Sequence, residues 1–122
     1  MDEKTFKNRT KQIALDFITL IDKLPKTSSG SVIGKQLLRS STSVGANYRA
    51  ACRGKSVADV ISKMSIVEEE ADETLYWCEL LRESGLFSEE NIMPLEKEMN
   101  EILAMTVASI KTLRSKQKRK KD

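Results

Sequence analysis

The sequence predicts an all-α protein, an antiparallel up-down-up-down four-helix bundle. Three observations lead there. Apolar residues recur three and four positions apart in four separate stretches, the spacing of one face of an α-helix. Only five glycines and two prolines punctuate the 122 residues, too few for the many turns of an all-β fold. The linkers between the stretches are short, which makes consecutive helices antiparallel neighbours. A chain of this length is one domain's worth of protein and buries about two thirds of its unfolded surface. The expected division is a bundle over residues 1–114 and a basic tail over 115–122.

The first helix is expected from Lys4 to Leu24, with Phe6, Ile13, Phe17, Leu20 and Leu24 on its inner face. Pro25 stops it. The polar run Lys26–Ser31 reads as a loop. The second helix is expected from Val32 to Arg53, with a stripe of Ile33, Leu37, Val44, Tyr48 and Ala51. Its middle is made of small residues, Ser40 to Ser43 with Gly45 and Ala46. Glycine and serine are poor helix formers, so they signal close approach of another backbone. Gly54 can cap the end.

The third helix is expected over Val57–Ser84. Ser56 with Asp59 three positions later is a capping-box-like start, and Gly85 is the stop. The fourth starts at Ser88 or Asn91, the later start favoured by Pro94, and runs to Leu113. Its stripe is Ile92, Leu95, Met99, Ile102, Thr106, Ile110 and Leu113.

Several chemistries are excluded by composition. There is no histidine, which removes Ser–His–Asp and Cys–His nucleophile systems and the usual zinc and di-iron sites. Glu70 and Glu73 could pair as carboxylates, but a di-iron bundle needs Glu-x-x-His. Gly54–Lys55–Ser56 imitates the end of a phosphate-binding loop, yet no glycine stands five positions earlier and no strand precedes it. No catalytic residue, metal site or cofactor is expected. Cys52 and Cys78 make no disulfide framework and read as reduced core or near-core residues. No apolar run approaches the ~20 residues of a membrane span, and the polar N-terminus is no signal peptide. The expected location is the cytoplasm, with no membrane partner.

Charge is segregated along the chain. Net charge is +3, but residues 23–58 carry seven bases and no acid, residues 59–101 carry thirteen acids and three bases, and residues 111–122 carry seven bases and one acid. Residues 1–22 balance four acids against four bases. On a helical wheel Lys35, Arg39, Thr42, Ala46, Arg49 and Arg53 gather opposite the second helix's core face, a stripe about 27 Å long at 1.5 Å per residue. Such a stripe, with Lys55 beyond it, either tracks phosphates or is a solvated face paired with acids of the third helix. If the second and third helices turn near Lys55, facing positions sum to about 110, so Arg39 reaches Glu70 and Glu73. Arg49 and Arg53 have fewer opposing acids at their level and remain the better phosphate ligands. The tail bases Lys116, Lys118, Arg119, Lys120 and Lys121 either bind a polyanion or solubilise the helix end. With six aromatics, none in a basic block, base stacking has little support.

The third helix is apolar on a second side. Ile66, Tyr76, Trp77 and Leu80 fall away from its core stripe, the pattern of a subunit interface or of residues packed under helix ends and loops.

The blocks QLLRSSTSVGANYRAACRGKS and ISKMSIVEEEADETLYWCELL, within Gln36–Leu81, carry a resemblance. The first holds Arg39–Ser41 and Ala46–Tyr48; the second holds Ser62, Lys63, Ile66, Glu70–Thr74, Tyr76 and Trp77. Together they resemble the 23S ribosomal RNA intervening-sequence protein family of four-helix bundles. The resemblance implies a closed homopentamer, no catalytic site and association with RNA. A related bundle, the accessory variability protein of diversity-generating retroelements, looks like a basic pentameric barrel that works with a reverse transcriptase. Two departures stand out. Ala50 replaces a common Glu, leaving the second helix with bases only, and Glu68 and Glu69 replace an apolar residue and a Lys. The expected partners are further copies of the chain, RNA or DNA, and alternatively a protein such as a polymerase. The two classes separate by salt, because phosphate contacts weaken steeply with ionic strength and an apolar contact does not.

Overall fold

The computed structural model describes residues 2–121, with side chains described as far as Arg119. Its described residues form four helices, α1 (Glu3–Ile21), α2 (Ser28–Cys52), α3 (Val57–Glu83) and α4 (Glu89–Lys121). Each packs on its chain neighbours, and α4 closes back on α1 along the most loosely packed of the four seams, in up-down order.

Helix starts follow side-chain capping. The Asp2 carboxylate accepts from the Thr5 N–H at 3.2 Å and from its hydroxyl at 2.6 Å. The Ser56 hydroxyl accepts from the Asp59 N–H, and Asp59 accepts in turn from the Lys55 N–H at 3.1 Å. The capping box read in the sequence is thus formed, its return bond displaced by one residue. α2 begins at Ser28, four residues before the expected start at Val32, because Thr27 accepts from the Gly30 N–H at 3.1 Å. The run expected as loop therefore gives four residues to the helix. Gly30 is buried against the preceding turn, where a Cβ would stand 2.1 Å from the Pro25 carbonyl oxygen.

Helix ends differ from expectation at α1 and α4. α1 stops at Ile21, not Leu24, but N–H groups of Lys23 and Leu24 bond back to Leu20 and Ile21. These tight turns keep Leu24 on the core side, only 7% exposed. α3 ends at Glu83, and Gly85 follows with φ +75°, a left-handed conformation that glycine adopts without strain. α4 starts at Glu89, two residues before Asn91, with Pro94 in its second turn. It runs on to Lys121 rather than ending at Leu113. Its last turns are Lys, Arg and Gln, good helix formers whose cations suit a helix C-terminus.

The core takes most of the expected stripe residues, while Ile33, Leu95 and Leu113 lie half-buried at its edge. Phe6, Phe17, Leu37, Val44, Val67, Leu81, Ile92, Met99 and Ile102 are sealed from solvent. Phe6 meets Tyr48 edge to face at 4.5 Å between ring centres. The small residues of α2 act as packing elements: a Cβ on Gly45 would lie 3.3 Å from the Thr10 hydroxyl oxygen, and buried Ser40 sits 2.9 Å from the Thr74 hydroxyl.

Candidate nucleic-acid interface

The helix registers decide where the charge blocks meet. Gly45 lies against Thr10, so the C-terminal half of α2 runs beside the N-terminal half of α1. The Arg9 guanidinium grips Glu98 with two bonds of 2.9 and 2.6 Å and reaches Glu101 at 3.5 Å, and with Glu3 and Lys116 lining one hollow and Lys23 and Asn91 another, α4 runs antiparallel to α1. The C-termini of α2 and α4 and the N-terminus of α1 therefore share one end of the bundle. Exposed Arg49, Arg53 and Lys55 lie at that end, as do exposed Lys116, Lys118 and Arg119 on α4, which does not pack on α2. Lys120 and Lys121 lie outside the described side chains.

Two predicted residues stand apart from this end. Lys35 is exposed, but it sits beside Pro25 and Lys26 at the α1–α2 turn, the opposite end of the stripe. Arg39 lies midway and is engaged: it donates to both Glu70 oxygens, at 3.2 and 3.0 Å, and to Glu73. The facing register read from the sequence is the one observed. Arg82 makes the equivalent clamp between α3 and α4, on Glu96 at 3.0 Å. Thus one arginine crosses each of the α1–α4, α2–α3 and α3–α4 seams.

The second face of α3 is tied to the Arg39 clamp. The Trp77 indole N–H donates to Glu73 at 3.0 Å, and the ring meets Tyr76 edge to face at 5.2 Å. Tyr76 is 52% exposed. Ile66, Trp77 and Leu80 are half-buried, and Trp77 also packs on the core. Arg39 and Glu73, paired from sequence, and Trp77, assigned there to a separate interface, form one surface network. The i,i+4 spacing of Glu73 and Trp77 was the available signal.

Two carboxylates of these clamps, Glu73 and Glu98, titrate low. The Trp77 N–H, and then Arg39, hold the Glu73 carboxyl below the usual range, while Arg9 does the same for Glu98 against the opposing effect of burial. A depressed carboxylate adds stability that is full above its unfolded value and lost as pH falls through its folded one. Melting temperature is expected to drop as pH falls below about 4.3, the ordinary glutamate value. Glu98→Gln should flatten part of that acid limb. Superimposable pH–melting curves for the variant and the parent would count against the clamp.

Two hollows flank the basic end. One, of about 640 Å³, opens between the helices and is lined by Tyr48, Cys52, Met64, Met105 and Leu113, with Glu3 and Lys116 among its charged lining residues. Both cysteines are free. Burial, with Glu3 second, pushes the Cys52 thiol up, and burial pushes that of Cys78 up to about 12, so neither is an activated thiolate. The other hollow is a groove between α1 and α2, lined by Lys7 and Lys11 on one side and Arg49 on the other. The charge blocks hid these two lysines, because residues 1–22 sum to zero. Lys4, Lys7 and Lys11 nevertheless follow three-four spacing, which puts them on one face of α1. Among the described residues no three His, Cys, Asp or Glu side chains converge on a metal-binding arrangement. No described helix is long and apolar enough to cross a membrane.

Helix order, seams and capping define an up-down four-helix bundle protein. Residues 3–108 match the model of the 23S rRNA-intervening sequence protein family, and the chain belongs to that family. The basic end of α4 beyond Ala108 lies outside the matched residues. The chain is also similar to a protein of unknown function from the S23 ribosomal protein family of Bacteroides thetaiotaomicron, known from a crystal structure. The two share 34% identity and superpose with a TM-score of 0.84, over 91% of this chain and 99% of the other. No curated protein matches the chain.

Proposed function

We propose that the chain is a non-catalytic, nucleic-acid-associated protein that holds a phosphate backbone, RNA preferred, at its basic end. The observation that carries this reading is that two cationic blocks far apart in sequence, Arg49, Arg53 and Lys55 and then Lys116, Lys118 and Arg119, are exposed at the same end of the bundle. Clustered Lys and Arg release counterions from a polyanion, so binding is sequence-independent and salt-sensitive. The preference for RNA is supported by the family's description, which ties it to 23S rRNA intervening sequences. Arg39 is left out of the contact set because Glu70 and Glu73 occupy it, and Lys35 because it is remote. The test is RNA and DNA binding at two salt concentrations, with and without residues 115–122. Salt-sensitive binding that survives truncation places the contact on α2, and binding lost with the tail places it on α4. Absence of binding at low salt overturns the reading in favour of a protein-binding scaffold.

Self-association, as a homopentamer by family resemblance, is part of the same proposal. Its support is the partly exposed apolar edge of Ile66, Tyr76, Trp77 and Leu80 on α3. Trp77→Ala is expected to lower the mass seen by light scattering with helix content retained. An unchanged mass would sink the assignment of this edge.

A further inference from the structure

We propose that the groove between α1 and α2 seats one phosphodiester strand, with Lys7 and Lys11 on one wall and Arg49 on the other. This rests on the nucleic-acid reading above and gives it a specific seat, half of it on a helix that no charge block marked.

The groove encloses about 470 Å³ and no acid lines it. Its α2 side is low, made of Thr42, Gly45 and Ala46, so a strand's backbone can come down between the walls. That depth follows from packing. Gly45 lets α2 approach Thr10 so closely that a Cβ there would touch the Thr10 hydroxyl oxygen at 3.3 Å. The approach sets the two lysines across from Arg49. Lys7 and Lys11 are one helical turn apart, about 6 Å along the axis, and point the same way. Both walls have charge to spare. Among the described residues Lys11 and Arg49 enter no ion pair, and Lys7 has only a long one, 3.9 Å to exposed Glu3. The Thr10 and Thr42 hydroxyls already donate to helix carbonyls, so recognition falls to the three cations, with the exposed Asn8 amide beside them. A site of this composition reads phosphate and not base, and Arg53, one turn beyond Arg49, extends it toward the α2 terminus.

The test uses the full-length chain and a fluorescently labelled oligouridylate. The double variant Lys7→Gln with Lys11→Gln changes two surface positions and should leave the thermal melt in place. It is expected to weaken low-salt binding about tenfold and to lower the log–log salt slope by about 1.4, two single-strand phosphate contacts. Ala46→Glu, an exposed helical position in the groove, should weaken binding at least as much without touching a cation. If the parent protein binds and both variants bind equally well, the groove is overturned while the broader reading stands on Arg53 and α4. If the parent protein does not bind, both fall. Competition by polyglutamate as effective as by oligouridylate overturns the phosphate assignment.

Discussion

Gly30→Ala is expected to destabilise the protein by about 3 kcal/mol and to lower its melting temperature by about 10 °C. The added methyl would stand 2.1 Å from the Pro25 carbonyl oxygen and 3.2 Å from the carbonyl carbon. Backbone cannot swing aside as a side-chain end can, so the α1–α2 turn must open or the first turn of α2 must unwind. Either response exposes Leu24 and releases the Thr27 cap, which holds the Gly30 N–H. Unwinding caps the loss, since Ser28 and Ser29 contribute little helix propensity. Gly45→Ala is the internal comparison: its methyl would meet Thr10 atoms at 3.3–3.4 Å, a contact that small shifts relieve. Equal melting temperatures for Gly30→Ala and the parent protein would show that the turn is packed differently.

The double variant Arg49→Glu with Arg53→Glu is expected to weaken oligonucleotide binding by about a hundredfold at low salt, with helix content unchanged. Neither arginine takes part in an ion pair among the described residues, so no seam loses its clamp. Both side chains are exposed near the end of α2, where cations favour the helix dipole, and reversal there costs about 0.3–1 kcal/mol each in stability. The salt slope should fall by at least about 1.4, for two lost phosphate contacts. Arg49→Gln with Arg53→Gln separates loss of attraction from added repulsion. Affinity unchanged in filter binding would remove these two arginines from the interface and leave the α1 lysines and the α4 terminus to account for any binding.

Periodicity made the bundle legible, because helix faces are local in sequence and four of them must bury together. The Arg39 register was legible for the same reason: a short turn near Lys55 fixes which α3 residues lie opposite. The start of α2 was not, since Ser28, Ser29 and Gly30 are weak helix formers held by a cap on Thr27 and by contact with Pro25. The length of α4 was hidden as well. Past Leu113 its helix no longer follows an apolar stripe, so period gives no signal where propensity alone sustains the turn. At the candidate site, Arg49, Arg53 and Lys55 were readable as a base-only segment. Lys7 and Lys11 were not, because Asp2, Glu3, Asp16 and Asp22 cancel the four bases of residues 1–22. The packing of α1 on α2 puts both lysines in a groove that none of those acids lines, although Glu3 reaches Lys7 at 3.9 Å.

The net charge of +3 understates what a distant polyanion feels. Bases crowd one end of the bundle, while exposed Glu69, Asp72, Glu79, Glu83, Glu89 and Glu90 run down the flank made by α3 and the start of α4. The molecule therefore carries a large electric moment, and a polyanion acts on it with a torque as well as a pull. Collisions begin already aligned, the cationic end foremost, which raises the fraction that are productive. The torque reaches only as far as the ionic atmosphere permits, about 8 Å at physiological salt. Added salt should thus slow association first, by letting the molecule arrive facing the wrong way.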